Sequence, residues 1–297
     1  MNITIVGPGA IGSLWAIKLL QAGHNVSLWG RSAGDSMKLS LDEQASLSFS
    51  NHNIEKLSES DLVIFTVKAW QVEEATAPLL QHLAPDTILM FMHNGMGAVD
   101  QIATQIDAHP VVLATTTQAA FKPNRNNVSH TGIGQTQLGA FNLKGQQCTF
   151  LVDVLEHALP AVSWNPEIKT ALWTKLAINC AINPLTGLEQ IKNGELADQR
   201  FSEVLSSIIK ELTQVMQAED MTCSFDELET SVNKVIQATA KNNSSMKQDV
   251  FYQRKTEIDF ITGHLIKTAL KHQIDVPVNQ KLFAQVKERE NSWNHQD

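Results

Sequence analysis

A short β-branched run at residues 2–6 is followed at once by Gly7-Pro8-Gly9-Ala10-Ile11-Gly12, by an apolar helical stretch at 13–22 and by Gly23. A second strand pattern then occupies 25–29. Strand, Gly-x-Gly-x-x-Gly, helix, strand is the opening βαβ unit of a dinucleotide-binding domain. Gly7 permits the tight turn. Gly9 lets the backbone approach a pyrophosphate, and Gly12 lets the helix pack close to the strand. Together with Pro8, Ala10 and Ile11 these glycines form a loop in which the helix start turns free N–H groups toward phosphates. The competing reading is a βα turn with a structural task alone.

The end of the second strand bears on which dinucleotide is held. Such folds usually place an acidic residue about 20 residues on, to bond the ribose hydroxyls. Here the strand runs out in Leu28-Trp29-Gly30-Arg31, and no carboxylate precedes Asp35. A guanidinium suits a 2′-phosphate by charge and by its fork of donors. The expected cofactor is therefore NADPH/NADP, with Arg31 as the phosphate reader. An ordinary exposed loop arginine is the alternative.

Continuous apolar runs at 61–68, 87–92 and 111–116 read as buried parallel strands, with helical stretches near 70–82 and 98–106. Residues 135–141 and 149–154 fit no pattern clearly. The character changes near 160–166, and beyond it helical periodicity dominates: 203–218, 225–239 and the long stretch 245–271 all read as helical. The expectation is an α/β chain, with a Rossmann-type NADP-binding domain at 1–166 and an all-α substrate and catalytic domain at 167–297.

A chain of 297 residues, 43% hydrophobic and 18% charged, is long enough for two cores. Its net charge of −8 and lack of a basic run argue against a nucleic-acid partner. No apolar run reaches spanning length, so no membrane association is expected. Cys148, Cys180 and Cys223 are odd in number and far apart, which suits a reducing compartment and offers no metal cluster. A first strand at residue 2 leaves no room for a signal peptide. A cytoplasmic protein without a metal is the expectation, acting as a monomer or homodimer.

Within the second half, Leu172 to Pro184 reads as an apolar helix carrying Lys175, Asn179 and Asn183. Steps of four place these three on one stripe. Burying a cation and two amides is costly without partners, and a ligand with a carbonyl and a carboxylate would supply them. A snorkelling lysine and asparagines bonded across helices would serve as well. In the first half, Lys68 ends a strand and Asn94 follows one, where doubly wound sheets bind ligands. Asn94-Gly95 is equally a common turn pair. Ser245-Met-Lys-Gln248 has the form of a capping box at a helix start.

These segments resemble the ketopantoate reductase (2-dehydropantoate 2-reductase) family over nearly the whole length. The resemblance rests on Gly7-x-Gly9-x-x-Gly12, Lys68-Ala-Trp-Gln, His93-Asn94-Gly-Met-Gly and Leu172-Trp-x-Lys175-Leu-Ala-x-Asn179-Cys-x-Ile-Asn183-Pro-Leu-Thr. It continues in Asn193-Gly-Glu-Leu, Ser244-Ser245-Met-x-Gln-Asp and Thr256-Glu257-Ile-Asp259. The resemblance implies an NADPH-dependent reductase that makes pantoate from 2-dehydropantoate in pantothenate biosynthesis. Lys175 would be the general acid and Glu257 a catalytic, substrate-orienting carboxylate that also lies at the cofactor. Asn94, Asn179, Asn183, Asn193 and Ser245 would hold the substrate. The loop 7–12, Arg31, Lys68 and Asn94 would meet the cofactor. Two other readings are a reductase of another branched 2-keto acid and a non-catalytic NADP(H) sensor on the same fold. The one tyrosine, Tyr252, is followed four residues on by Thr256, so the Tyr-x-x-x-Lys pair of short-chain dehydrogenases is absent.

Overall fold

The computed structural model describes residues 1–31 and 34–293. The chain divides into two compact units. One comprises the described residues of Met1–His93 and Ala98–Ile168. The other comprises those of Asn94–Gly97 and Lys169–Asp297.

The first unit is built on β1 (Asn2–Val6), α1 (Ala10–Gln21), β2 (Asn25–Trp29), β3 (Ser36–Leu41), β4 (Leu47–Asn51), α2 (Ile54–Ser58) and β5 (Leu62–Phe65). It continues through α3 (Val72–Leu80), β6 (Ile88–Phe91), α4 (Ala98–Gln101), α5 (Ala103–Ile106) and β7 (Val111–Thr116). Then come β8 (Ala119–Phe121), β9 (Asn127–Gly132), β10 (Thr136–Ala140), α6 (Leu151–Ala158) and β11 (Val162–Trp164). The strands form one sheet in the order β11-β10-β7-β6-β5-β1-β2-β4-β3-β9-β8. From β4 through β2, β1, β5 and β6 to β7 the pairing is parallel. β5 and β6 are buried at every position, as strands covered on both faces must be. The chain leaves β1 toward β2 on one side and later places β5 on the other. This reversal is the topological switch point of a Rossmann-type sheet, and ligands bind outside the carboxyl ends of the strands there.

Two expectations for this unit change in detail. The strand expected at 61–68 ends at Phe65, because Thr66 turns its hydroxyl to the carbonyl of Gly7 at 2.7 Å and the chain enters a 3₁₀ turn at Ala69–Gln71. The helix expected at 98–106 is two short pieces, α4 and α5. Of the two stretches that fitted no pattern, 135–141 holds strand β10, and 149–154 spans the end of a 3₁₀ segment, Lys144–Phe150, and the start of α6 at Leu151.

The second unit is helical among its described residues. Its elements are α7 (Ile168–Glu189), α8 (Ser202–Ala218), α9 (Phe225–Ala238), α10 (Ser245–Phe251), α11 (Thr262–Lys271) and α12 (Pro277–Trp293). Trp173, Leu176, Ala177, Cys180 and Ala181 of α7 pack in one core with Ile208 and Leu212 of α8, Val232 of α9, Leu265 of α11 and Val286 of α12. Cys180 is fully buried there, and burial pushes its thiol up to about 12, as befits core packing. The buried carboxylate of Glu211 accepts the N–H groups of Val278 and Asn279 and so caps α12. No helix among the described residues is long and apolar enough to cross a membrane.

The long helical stretch expected at 245–271 is broken. α10 stops at Phe251, where Gln253 adopts a left-handed φ of 50° and the Arg254 N–H returns to the Asp249 carbonyl. This is a Schellman-type ending with glutamine in the place glycine usually takes. After a single 3₁₀ turn at Ile258–Phe260, α-helix resumes at Thr262, and Glu257 lies in the break.

Candidate active site

At the carboxyl end of β1, Gly7 has φ +82°, and a Cβ there would lie 2.5 Å from Val67 Cγ1. A Cβ on Gly12 would lie 2.2 Å from Thr66 Oγ1 and 2.6 Å from the Gly7 carbonyl oxygen, so α1 packs on the strand ends only because this residue is glycine. Gly9 differs: a Cβ there meets nothing nearer than 3.9 Å. Among the described residues no neighbour demands glycine at position 9, and the open space it leaves fits a ligand phosphate. Gly9 also caps α1 without a side-chain bond, and the first helical bond runs from the Ser13 N–H to the Gly9 carbonyl. The N–H groups of Ala10 and Ile11 precede that bond and are suited to phosphate oxygens. This cradle fits the pyrophosphate of a dinucleotide.

Arg31 follows β2 and is exposed. On either side of it, buried Asn51 accepts the Gly30 N–H at 3.0 Å and donates to the Gly34 carbonyl at 2.8 Å. Lys68 lies beyond β5, and its backbone N–H donates to Gln71 Oε1 at the start of the 3₁₀ turn.

In the second unit α7 carries Lys175, Asn179 and Asn183 one turn apart, with Lys175 and Asn179 half-buried and Asn183 buried. Burial pushes the Lys175 ammonium down to about 8, and the Glu257 carboxylate opposes that fall. Glu257 is 4% exposed, and its Oε2 accepts Asn94 Nδ2 at 3.3 Å. The segment Asn94–Gly97 is tied down again where the Met96 N–H meets the Phe260 carbonyl at 2.8 Å. A buried carboxylate, an amide and a lysine poised near neutral pH thus share one electrostatic cluster. A lysine of this kind is protonated at neutral pH yet gives up its proton readily.

The ketopantoate reductase PanE/ApbA pattern matches residues 3–142, and its C-terminal counterpart matches 167–290. The 2-dehydropantoate 2-reductase of Vibrio cholerae is 54% identical over 294 residues, 99% of each chain. The chain belongs to the ketopantoate reductase family. Among solved structures, a PanE/ApbA family ketopantoate reductase from Ralstonia eutropha JMP134 superposes with a TM-score of 0.88 at 24% identity, covering 99% of this chain and 100% of its own. D-mandelate dehydrogenase with NADH and anilino(oxo)acetate superposes with a TM-score of 0.89 at 22% identity and the same coverage. Both show a shared fold.

The remaining ketopantoate reductase positions fall in different settings. The cap of α10 is Ser244, whose Oγ accepts the Lys247 N–H at 3.0 Å and meets Thr186 Oγ1 at 2.7 Å. Ser245, expected to have the capping pattern, is instead the first helical residue, and its exposed hydroxyl takes no part in the cap. Asn193 is buried and donates to Thr239 Oγ1 at 2.9 Å, and its Oδ1 is buried without a partner. No hydrogen bond among the described residues joins it to Asn94, Lys175 or Glu257. Asn51 and Lys122 escaped the sequence reading. Lys122 Nζ donates to the Pro8 carbonyl at 2.6 Å and to Ser13 Oγ at 2.9 Å, bracing the glycine loop, and burial pushes it down to about 8. Neither residue belongs to a local motif, so no pattern in the chain marks it.

Proposed function

We propose that this chain reduces 2-dehydropantoate to pantoate with NADPH in pantothenate biosynthesis. The reading is supported by the clustering of Lys175, Glu257 and Asn94 in a chain of this family. Residues 1–166 form the NADP-binding domain, and 167–297 the substrate and catalytic domain. The loop 7–12 takes the pyrophosphate, Arg31 the 2′-phosphate, and Lys68 and Asn94 also meet the cofactor. Bound NADPH supplies the hydride that reaches the C2 ketone.

Lys175 performs the proton chemistry. As the C2 oxygen gains negative charge, the ammonium stabilises it and gives up one proton from Nζ, leaving a hydroxyl and a neutral amine. The amine regains a proton from solvent. Glu257 keeps Lys175 charged before reaction and accepts the substrate's 4-hydroxyl. Asn94, Asn179, Asn183, Asn193 and Ser245 are the remaining substrate contacts. Holding both ends of the substrate turns binding energy from groups that do not react into orientation of the ketone. The protein acts in the cytoplasm as a monomer or homodimer, without nucleic acid.

The test is nicotinamide oxidation by the purified chain with 2-dehydropantoate, compared with the same branched 2-keto acid lacking the hydroxyl. A kcat/KM higher for 2-dehydropantoate by on the order of a hundredfold or more is expected, because an acid without the hydroxyl loses its bond to Glu257 and the orientation that bond gives. Equal turnover of both would favour a general reductase of branched 2-keto acids. No turnover of either would leave only a nucleotide-binding role.

A further inference from the structure

Glu257 lies between α10 and α11, at the start of a single 3₁₀ turn, Ile258–Phe260, too short to fix it alone. Between the ends of α10 and α11 the backbone has few bonds of its own. The Phe260 and Ile261 N–H groups return to the Glu257 carbonyl at 3.0 Å, and the Ile258 N–H meets Thr256 Oγ1 at 3.2 Å. Besides the bonds from Asn94 and Met96, two anchors come from α12. Glu290 Oε1 accepts the Thr256 N–H at 2.7 Å, one residue before Glu257. Lys287 Nζ lies 2.9 Å from Asp259 Oδ2, two residues after it, and 3.2 Å from Glu290 Oε2. Glu257 is thus bracketed on both sides by residues three apart on one helix face.

The chemistry of this bracket is unusual for a helix otherwise anchored by Leu282 and Val286. Glu290 is only 8% exposed, and an ionised carboxylate at such depth is costly unless every lone pair is used. It is used twice here, on a backbone amide and on a lysine. For Lys287, burial opposes the charge, but its bonds to Asp259 and Glu290 more than offset this, so the ammonium is held above its ordinary range. An apolar pair at 287 and 290 would pack a helix as well. It would leave the Thr256 amide unpaired and Asp259 without its cation.

We propose that Glu290 and Lys287 are positioning residues of the active site, holding the 256–259 segment so that the Glu257 carboxylate stays with Asn94 and Lys175. This rests on the reading of Glu257 as a catalytic carboxylate, and it predicts that the last turns of α12 influence the rate without touching substrate.

The test uses the full chain with Lys287→Met and Glu290→Gln, each alone and combined with Glu257→Gln, and with Lys287→Arg as the conservative variant. Amide exchange of peptides spanning 252–261 should accelerate in Lys287→Met and Glu290→Gln, while the α7 peptides stay protected. kcat should fall by about ten- to a hundredfold, since a misplaced catalytic group loses rate through lost orientation. Lys287→Arg should recover most of the loss. In the Glu257→Gln background either substitution should cost less than about twofold, because its effect is transmitted through Glu257. The proposal is overturned by unchanged exchange of the segment. It is equally overturned by a kcat loss of the same factor in both backgrounds, which would mark a generally structural role. If Glu257→Gln alone is as active as the unsubstituted enzyme, the catalytic reading of Glu257 fails, and the exchange data alone then decide the bracket. If Glu290→Gln does not fold, the Lys287 variants carry every comparison, since that side chain is 31% exposed.

Discussion

The pH dependence of kcat offers the most direct access to the Lys175–Glu257 pair. Lys175 lies near 8 because burial outweighs the attraction of Glu257. A general acid works only while protonated, so kcat should be level below about pH 8 and fall about tenfold per pH unit above it. Glu257→Gln removes the carboxylate charge that opposes the fall. An opposite charge in direct range raises a lysine by about 1–3 units, so the variant's alkaline limb should move down by roughly one to two. At pH 8 the unsubstituted enzyme would be about half protonated and the variant roughly a tenth or less. Its deficit should therefore shrink as the pH is lowered toward 6. The assay is NADPH oxidation at saturating 2-dehydropantoate across pH 6–10. A primary isotope effect from deuterated NADPH confirms that reduction limits the rate. A variant whose limb stays near 8, reduced by a constant factor, would show that Glu257 does not set the charge on Lys175. A flat profile through pH 9.5 in the unsubstituted enzyme would remove Lys175 as the acid.

The same lysine makes a stability prediction. Its folded value of about 8 lies below the ordinary 10.5, so the unfolded chain binds the extra proton between those values. The cost of charging it is fully present below about pH 8 and is relieved as the pH rises toward 10.5. Lys175→Met should therefore flatten the part of the stability profile that rises between about pH 8 and 10.5, with activity lost throughout. Urea unfolding at two pH values reads this. Arg31→Ala should weaken NADPH by about ten- to a hundredfold and leave NADH nearly unchanged, measured by titration, because a bond to a charged group contributes about 1.5–3 kcal/mol. Gly9→Ala should keep its melting temperature while losing cofactor affinity, since its Cβ meets nothing nearer than 3.9 Å. Gly12→Ala should lower the melting temperature as well, by the equivalent of about 1–3 kcal/mol, since its Cβ would lie 2.2 Å from Thr66 Oγ1.

Features set by local chemistry could be read from the chain. Gly7 and Gly12 answer steric demands within one βα turn, and the continuous apolar runs of β5 and β6 follow from burial on both faces. The stripe of Lys175, Asn179 and Asn183 needs only the helical period. β3 and β4 were not read, because each offers only a short alternation, Met37, Leu39 and Leu41 and then Leu47 and Phe49 with polar residues between, and their pairing is supplied by the sheet edge. The cap of α10 illustrates an ambiguity of one residue. Ser245-x-x-Gln248 has the better capping pattern, yet Ser244 is the cap, because Thr186 on α7 holds its hydroxyl.

The break at 252–261 is the most consequential of these illegible features. Its left-handed residue is Gln253, so no glycine announces a stop, and the helical period runs on through Thr256 to Asp259. What prevents helix there is tertiary: Glu290 takes the Thr256 N–H, and Lys287 takes the Asp259 carboxylate. An uninterrupted helix would return that N–H to a carbonyl four residues earlier and leave Glu290 buried without its backbone partner. The site carboxylate therefore depends on residues some thirty positions downstream that no motif singles out. A functional glutamate in a regular helix can be placed by periodicity, whereas one held in a break is placed by whatever side chains the break satisfies. For this fold those side chains lie on α12. Substitutions near the end of the chain are accordingly expected to alter catalysis at Glu257 before they alter the core packing of the second unit.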